Sequence, residues 1–332
     1  MVVYLTLFAT SLISALAITP RLVRTSHRLG LVDQPGERKV HTSPIPRLGG
    51  VSIAFGLAVA LGMAVIVDAL YPAGPKPDPS SLLPVISGAA LVFAVGLWDD
   101  LDPIEPMLKI LFETAAGSIV IAAGLVIGRV TIFGNTHELG WVAIPVTLAW
   151  LVLITNAFNL MDGLDGLAAG LIAIAATTCA TVLLARGEEP SAMLLVSLLG
   201  AVLGFLVYNF HPARIFMGDS GSLLAGFLLA VTAITGQQKG ATTLAVGVPL
   251  LIFALPLADT VVAIGRRLLG GGSRGRGPAG IATALGRVLT GDREHIHHRL
   301  LGLGLSQRAA VLLLYGLMLL GSAIALMTMD VQ

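Results

Sequence analysis

The sequence predicts an all-α protein that threads a lipid bilayer about ten times, with its N-terminus outside and its chemistry-bearing loops in the cytoplasm. Three observations predict it. Apolar residues make up 55% of the 332 residues and charged ones only 12%, with a mean hydropathy of +0.89, which excludes a soluble domain. Apolar runs recur at about the length a bilayer core demands, roughly 20 residues per helix. The basic residues gather in alternate loops.

The runs fall at about 2–19, 50–70, 82–97, 107–128, 142–158, 166–185, 191–208, 221–236, 241–263 and 308–328. Each is read as a helix, because unpaired backbone groups are too costly in hydrocarbon for an open alternative. No basic residue precedes the first run, and Arg21, Arg24 and Arg28 follow it. A signal peptide carries its charge in front, so the first helix is expected to be retained with its N-terminus outside. The connections after the first, third, fifth, seventh and ninth runs then hold sixteen of the twenty Lys and Arg residues. The opposite loops hold only Lys76, Arg129, Arg186 and Lys239. Such an excess marks the cytoplasmic side, an asymmetry that the overall charge of +1 conceals. Outer connections such as 71–79 are Pro/Gly-rich turns, whereas two cytoplasmic segments, 20–49 and 264–307, are long. The single cysteine, Cys179 in the sixth run, forbids an intrachain disulfide and reads as packing.

Every acidic motif lies on the basic side. Asp99 and Asp100 end the third run, with Asp102 and Glu105 just beyond. Adjacent carboxylates repel and need a cation or a shared proton to coexist closely, and a hard divalent metal prefers such oxygens together with substrate phosphates. A solvated acidic helix end accounts for this pair equally well. Asp162 and Asp165 share one face of a turn with Asn159, and Gly163 and Gly166 would let a ligand approach the backbone; these are also ordinary turn residues. Asp219 stands between Gly218 and Ser220 just before the eighth run. Alone it reads as a helix cap; functionally it offers a carboxylate beside helix amides that attract phosphate. His295, His297 and His298, flanked by Arg293 and Arg299, are too concentrated for packing. A zinc site would want a fourth ligand that the buried cysteine does not supply, so contact to phosphates or a sugar fits better, with arginines for phosphate oxygens.

Five segments occur in one order: Asp33-Gln-Pro-Gly through Lys39, His41 and Arg47-Leu-Gly-Gly; Asp99-Asp100; Asn156-Ala-Phe-Asn159-Leu-Met-Asp162-Gly-Leu-Asp165-Gly; Asn209 through Phe216-Met-Gly-Asp219-Ser-Gly; and His295-Ile-His297-His298-Arg-Leu. Together they resemble the polyprenyl-phosphate N-acetylhexosamine-1-phosphate transferases (glycosyltransferase 4 type) over essentially the whole chain, and the histidine segment is similar to the WecA/TagO-like branch. The muramyl-pentapeptide branch (MraY-like), with three consecutive histidines, ranks second. The resemblance implies a single polytopic transferase domain over 1–332, with 264–307 as the loop carrying the histidines. It implies Mg²⁺-dependent transfer, with Mn²⁺ as a substitute, of N-acetylglucosamine-1-phosphate from a UDP-N-acetylhexosamine to undecaprenyl or another polyprenyl phosphate, releasing UMP. That reaction is the first membrane step of cell-envelope polysaccharide synthesis, at the bacterial inner membrane. By motif, Asp219 would be the principal metal ligand, Asp100 would help organise metal and pyrophosphate, and Asp99 would be the base or orienter for the lipid phosphate. Asn159, Asp162, Asp165, Asn209 and Phe216 match the nucleotide-binding set. His295, His297, His298 and Arg266 match the part that reads sugar and phosphates, and Lys39, His41 and Arg47 lie near the substrate entrance. The family includes homodimers, and no nucleic-acid partner is implied. The Gly/Arg-rich stretch 270–287 is longer than the family pattern and reads as a linker.

A transporter would place charges near the bilayer midplane, whereas Glu113 and Asp259 are expected toward span ends. A dead scaffold would have lost one of Asp99, Asp100, Asp162, Asp165 and Asp219, and all are present.

Overall fold

Capping residues and prolines set the helix starts. Asp78 accepts from the Ser80 amide at 3.1 Å ahead of Pro79, Pro106 opens the next helix, and Ser306 accepts from the Ala309 amide at 3.3 Å. Proline suits a first turn, where its missing N–H would have had no partner. The computed structural model describes residues 1–35, 43–72, 74–132, 135–238, 247–269 and 295–328. Within these, helices run α1 Val2–Leu29, α2 Gly49–Leu70, α3 Pro79–Leu101, α4 Pro106–Ala122, α5 Ala143–Leu160 and α6 Leu167–Ala185. They continue as α7 Glu189–Asn209, α8 Gly218–Gln238, α9 Gly247–Ile252, α10 Ala254–Leu269, α11 Ile296–Gly302 and α12 Gln307–Met327. Two small antiparallel ribbons join them: β1 Val32–Asp33 with β2 Ile45–Pro46, and β3 Arg129–Ile132 with β4 Asn135–Glu138. The expected all-α polytopic architecture holds.

Eight described helices are long and apolar enough to cross a membrane: α1, α2, α3, α5, α6, α7, α8 and α12. Two of the ten expected runs take other forms. The fourth yields α4, whose 17 residues end at Ala122 before the β3–β4 ribbon. The ninth is divided between α9 and α10 at Phe253, where Pro256 has no amide to offer the Ile252 carbonyl. Residues 241–246 of that run lie outside the described residues.

Packing is radial. The α8 span is 89% buried and that of α6 78%, against 28% for α1 and 33% for α12. Helix α8 is the axle, lying against α2, α3, α5 and α6, while α1 packs on the outside along α2 and α7. In lipid the hydrophobic effect does not press helices together; close approach of small residues and hydrogen bonds does. Ser11 on α1 accordingly donates to the Ser197 carbonyl of α7 at 2.6 Å. The consequence for function is at the ends of α2, α3 and α8. A Cβ on Gly50 would overlap Ser220 and Gly221, and one on Gly96 would lie 2.6 Å from the Asp219 carbonyl oxygen. Glycines thus let three helix ends meet at one point.

Candidate active site

That meeting point is carboxylate-rich. Asp100 turns its side chain across to α8: Oδ1 accepts from the Asp219 amide at 2.8 Å, and Oδ2 accepts from the Ser220 amide at 3.0 Å and its hydroxyl at 2.5 Å. The cap of α8 is therefore Asp100, contributed by another helix. The amides expected to attract phosphate are taken by it, which frees the Asp219 carboxylate to face the cavity. Gly218, at φ +72°, makes the turn into α8 in a conformation L side chains rarely adopt.

Lys109 on α4 then bridges two carboxylates, 2.8 Å from Asp219 Oδ2 and 3.3 Å from Asp99 Oδ2. Asp99 is itself fixed, its Oδ1 accepting from the Ile104 amide at 3.0 Å. On the far side, Asn159 donates to Asp219 Oδ2 at 3.4 Å and accepts from the Ser222 hydroxyl at 2.7 Å. The Gly218 amide hydrogen-bonds Asp162. Even so, withdrawal from solvent, then repulsion by Asp219 and Asp100, pushes the Asp162 carboxyl well above the usual carboxylate range. Among the described residues lining this point, carboxylates outnumber cations.

These groups open on a cavity of ≈ 380 Å³ lined by Asp33, Arg47, Asp99, Asp100, Asp162, Asp165, Asn209, Phe216, Asp219 and His298, among others. The β2 strand sits beside it: Phe216 N–H donates to the Pro46 carbonyl at 2.8 Å and Gly49 N–H to the Phe216 carbonyl at 3.0 Å. This pairing carries Arg47 to the rim, where it is ion-paired with Asp33.

Two residues expected to bind substrate are engaged with the protein. Asn209 accepts from the Gly166 amide at 3.1 Å and donates to the Ile215 carbonyl at 2.9 Å. Asp165 Oδ2 lies 2.7 Å from His211 Nδ1 and accepts from the Ala213 amide at 3.1 Å. Both brace the loop from 209 to 217 while lining the cavity.

The histidines divide. His298 lines the cavity. His295 is 4% exposed, its Nδ1 2.7 Å from Asp259 Oδ2, and the Ile296 amide donates to Asp259 Oδ1 at 2.8 Å. His297 is buried against Gly163, where any Cβ would collide with its ring. Burial, then the neighbouring His298 and His295, lowers its pKa to about 4, so it is neutral at pH 7. Arg266 on α10 is not among the cavity-lining residues, and Lys39 and His41 lie outside the described residues. Sequence reasoning counted Lys109 only as a basic loop residue. Its signal was position: it follows Asp99 and Asp100 across a Pro103–Pro106 turn short enough to fold it back.

Fold and cavity define a multi-pass membrane protein with an acidic, lysine-bridged pocket at its helix ends. The sequence matches glycosyl transferase family 4 over residues 82–237, the span from α3 to α8 that carries most of the cavity. It is 36% identical over 310 residues to a probable undecaprenyl-phosphate N-acetylglucosaminyl 1-phosphate transferase of Bacillus subtilis, covering 93% of this chain and 80% of the relative. A decaprenyl-phosphate N-acetylglucosaminephosphotransferase of Mycolicibacterium smegmatis is 36% identical over 350 residues, 96% of this chain and 79% of its own. The undecaprenyl-phosphate alpha-N-acetylglucosaminyl 1-phosphate transferase of Escherichia coli K12 is 30% identical over 317 residues, 92% and 80% respectively. The chain belongs to glycosyl transferase family 4, as its motifs implied.

Proposed function

We propose that the protein transfers N-acetylglucosamine-1-phosphate from UDP-N-acetylglucosamine to a polyprenyl phosphate, releasing UMP and leaving a polyprenyl-diphosphate sugar. The observation that carries this reading is the convergence of Asp99, Asp100, Asp162, Asp165 and Asp219 on one cavity, where Arg47 also lines the wall and Lys109 bridges Asp219 and Asp99. The relatives' names supply the sugar and the lipid. In the sequence, sixteen of twenty basic residues fall in the alternate connections that also carry the aspartate motifs, which supports a cytoplasmic site in a bacterial inner membrane.

Among the described residues no three His, Cys, Asp or Glu side chains are grouped to hold a metal ion. Mg²⁺ is commonly held by one or two carboxylates plus substrate phosphates and water, so the reading asks for only one or two of the cavity's carboxylates. Asp219 is the ligand this reading selects. Asp100, both of whose oxygens are engaged at the start of α8, shapes the site and sets the direction of Asp219. When bound, the cation would offset the charge of the two phosphorylated substrates.

The chain's own residues do the rest. Lys109 balances Asp219 and Asp99 and is placed to meet phosphate oxygens as they enter. Asp99, with one oxygen on the Ile104 amide, orients the lipid phosphate. Arg47 and His298 face the donor from the rim. The lipid phosphate is already largely ionised at neutral pH, so a phosphate oxygen attacks the sugar-linked phosphorus directly. The new P–O bond forms as the bond to UMP breaks, and positioning with charge compensation is the main demand.

The test is UMP release by purified protein in detergent with polyprenyl phosphate, Mg²⁺ and, separately, UDP-GlcNAc, UDP-GalNAc or UDP-MurNAc-pentapeptide. Release with UDP-GlcNAc, abolished by EDTA and restored by Mg²⁺, is the expected result. Release only with the pentapeptide donor would overturn the sugar, and EDTA-resistant turnover would overturn the metal.

A further inference from the structure

Halfway along α4, Glu113 is 2% exposed, not toward a span end as the sequence reading had it, and the transfer reaction described above makes no use of it. Its Oε2 accepts from Asn156 Nδ2 at 2.5 Å, while its Oε1 is buried with no hydrogen-bond partner among the described residues. A carboxyl in an apolar helix is expensive, and such groups persist where they serve a neighbour.

The neighbours are informative. Lys109 lies four residues earlier on α4 and shares a face with Glu113. Asn159 lies three residues after Asn156 on α5. Two rungs therefore tie these helices into the site. Glu113 and Asn156 form the lower one; Lys109, Asp219 and Asn159 form the upper one, at the cavity. Asn156 also donates to the Val152 carbonyl of its own helix at 2.9 Å, which limits its freedom to swing.

We infer that Glu113 is a positioning residue for the transfer reaction. By holding α4 to α5 through Asn156, it fixes the rotation and height of α4, and with them the aim of Lys109 at Asp219 and Asp99. What the role requires is a hydrogen-bond acceptor at the end of that side chain, not its charge. The inference rests on the transferase reading.

The experiment measures kcat and KM for UDP-GlcNAc by UMP release, together with Tm, for wild type, Glu113→Gln, Glu113→Ala, Asn156→Ala and the double alanine variant. Misplacing a catalytic group by a fraction of an ångström to 1 Å is enough to cost about tenfold or more in rate. Glu113→Ala and Asn156→Ala are therefore each expected to lower kcat by about tenfold or more while KM moves by less than about threefold. Glu113→Gln keeps the acceptor and stays within about threefold of wild type, and the double variant is no worse than either single one. Wild-type kcat in Glu113→Ala, even with a lowered Tm, would make Glu113 a purely structural residue and sink the inference. A Glu113→Gln variant as slow as Glu113→Ala would also overturn it, by pointing to charge rather than geometry. If wild type releases no UMP from any donor, the transferase reading fails, and the inference falls with it.

Discussion

The carboxylate cluster and the histidine segment meet at the same cavity but are built in opposite ways. At the cluster, backbone amides hold one carboxylate so that another can stay available: Asp100 spends both oxygens on Asp219 N–H and Ser220 so that Asp219 faces the cavity. Lys109, Arg47, side-chain amides and backbone amides temper the charge there. In the histidine segment, two of three rings are turned into the protein, His295 onto Asp259 and His297 against Gly163, leaving His298 at the cavity. The first region gathers carboxylates around one bridging lysine; the second places one ring with two others as its mounting. Changes in the first should reach turnover with little effect on stability, and changes in the second should do the reverse.

The sharpest way to break that contrast is Asp219→Asn. The isosteric amide should lower kcat at least about a thousandfold, an electrostatic loss of the size seen when a group stabilising transition-state charge is removed. The protein should still insert and purify with wild-type Tm, and substantial UMP release by this variant would remove Asp219 from the centre of the site. Next comes Lys109→Met, which deletes the bridging ammonium but keeps the stem. Loss of about a hundredfold in kcat is expected, with Lys109→Arg recovering part of it. A variant with normal turnover would mean the Lys109–Asp219 contact merely balances charge and takes no part in transfer.

The histidine side should respond through folding. Gly163→Ala drives a methyl into the His297 ring, and overpacking of this kind costs about 1–3 kcal/mol. Tm should fall clearly, while kcat of the protein that remains folded falls by less than about tenfold. The smallest effect is a pH dependence. The folded pKa of His297, about 4, lies below its ordinary value of 6.5, so at acid pH protons bind the unfolded chain first. Its contribution is fully present above pH 6.5 and is progressively lost as pH falls toward 4. His297→Gln should flatten the fall in Tm between pH 7 and pH 5 relative to wild type. An unchanged slope would show that carboxylates, not this ring, govern the acid limb.

The sequence alone determined much of this protein. A chain this apolar must bury its backbone polar groups in helices, so class and span positions follow from composition and spacing with little help from packing. Motifs located the cluster because its residue types are conspicuous: paired aspartates and glycine-flanked carboxylates stand out against Leu, Ala and Val. Where expected spans took another form, at α4 and at the α9–α10 break, the cause was local. An apolar run does not announce that it will end early, or that a proline will remove one amide from it.

Only tertiary structure decided which atoms face the cavity. Asp99 and Asp100 are chain neighbours of one type, yet Asp100 caps α8 while Asp99 pairs with Lys109, because the close approach of Gly96 to Asp219 sets α3 at that height. His295, His297 and His298 look equivalent in sequence, yet the first two are buried and only His298 lines the cavity. Lys109 was fixed as a site residue, and Glu113 as the group that sets its helix, once α4 was packed on α3 and α5. Side-chain chemistry is written locally, but which neighbour neutralises, caps or buries a group depends on contacts between residues far apart in the chain. No local pattern encodes those.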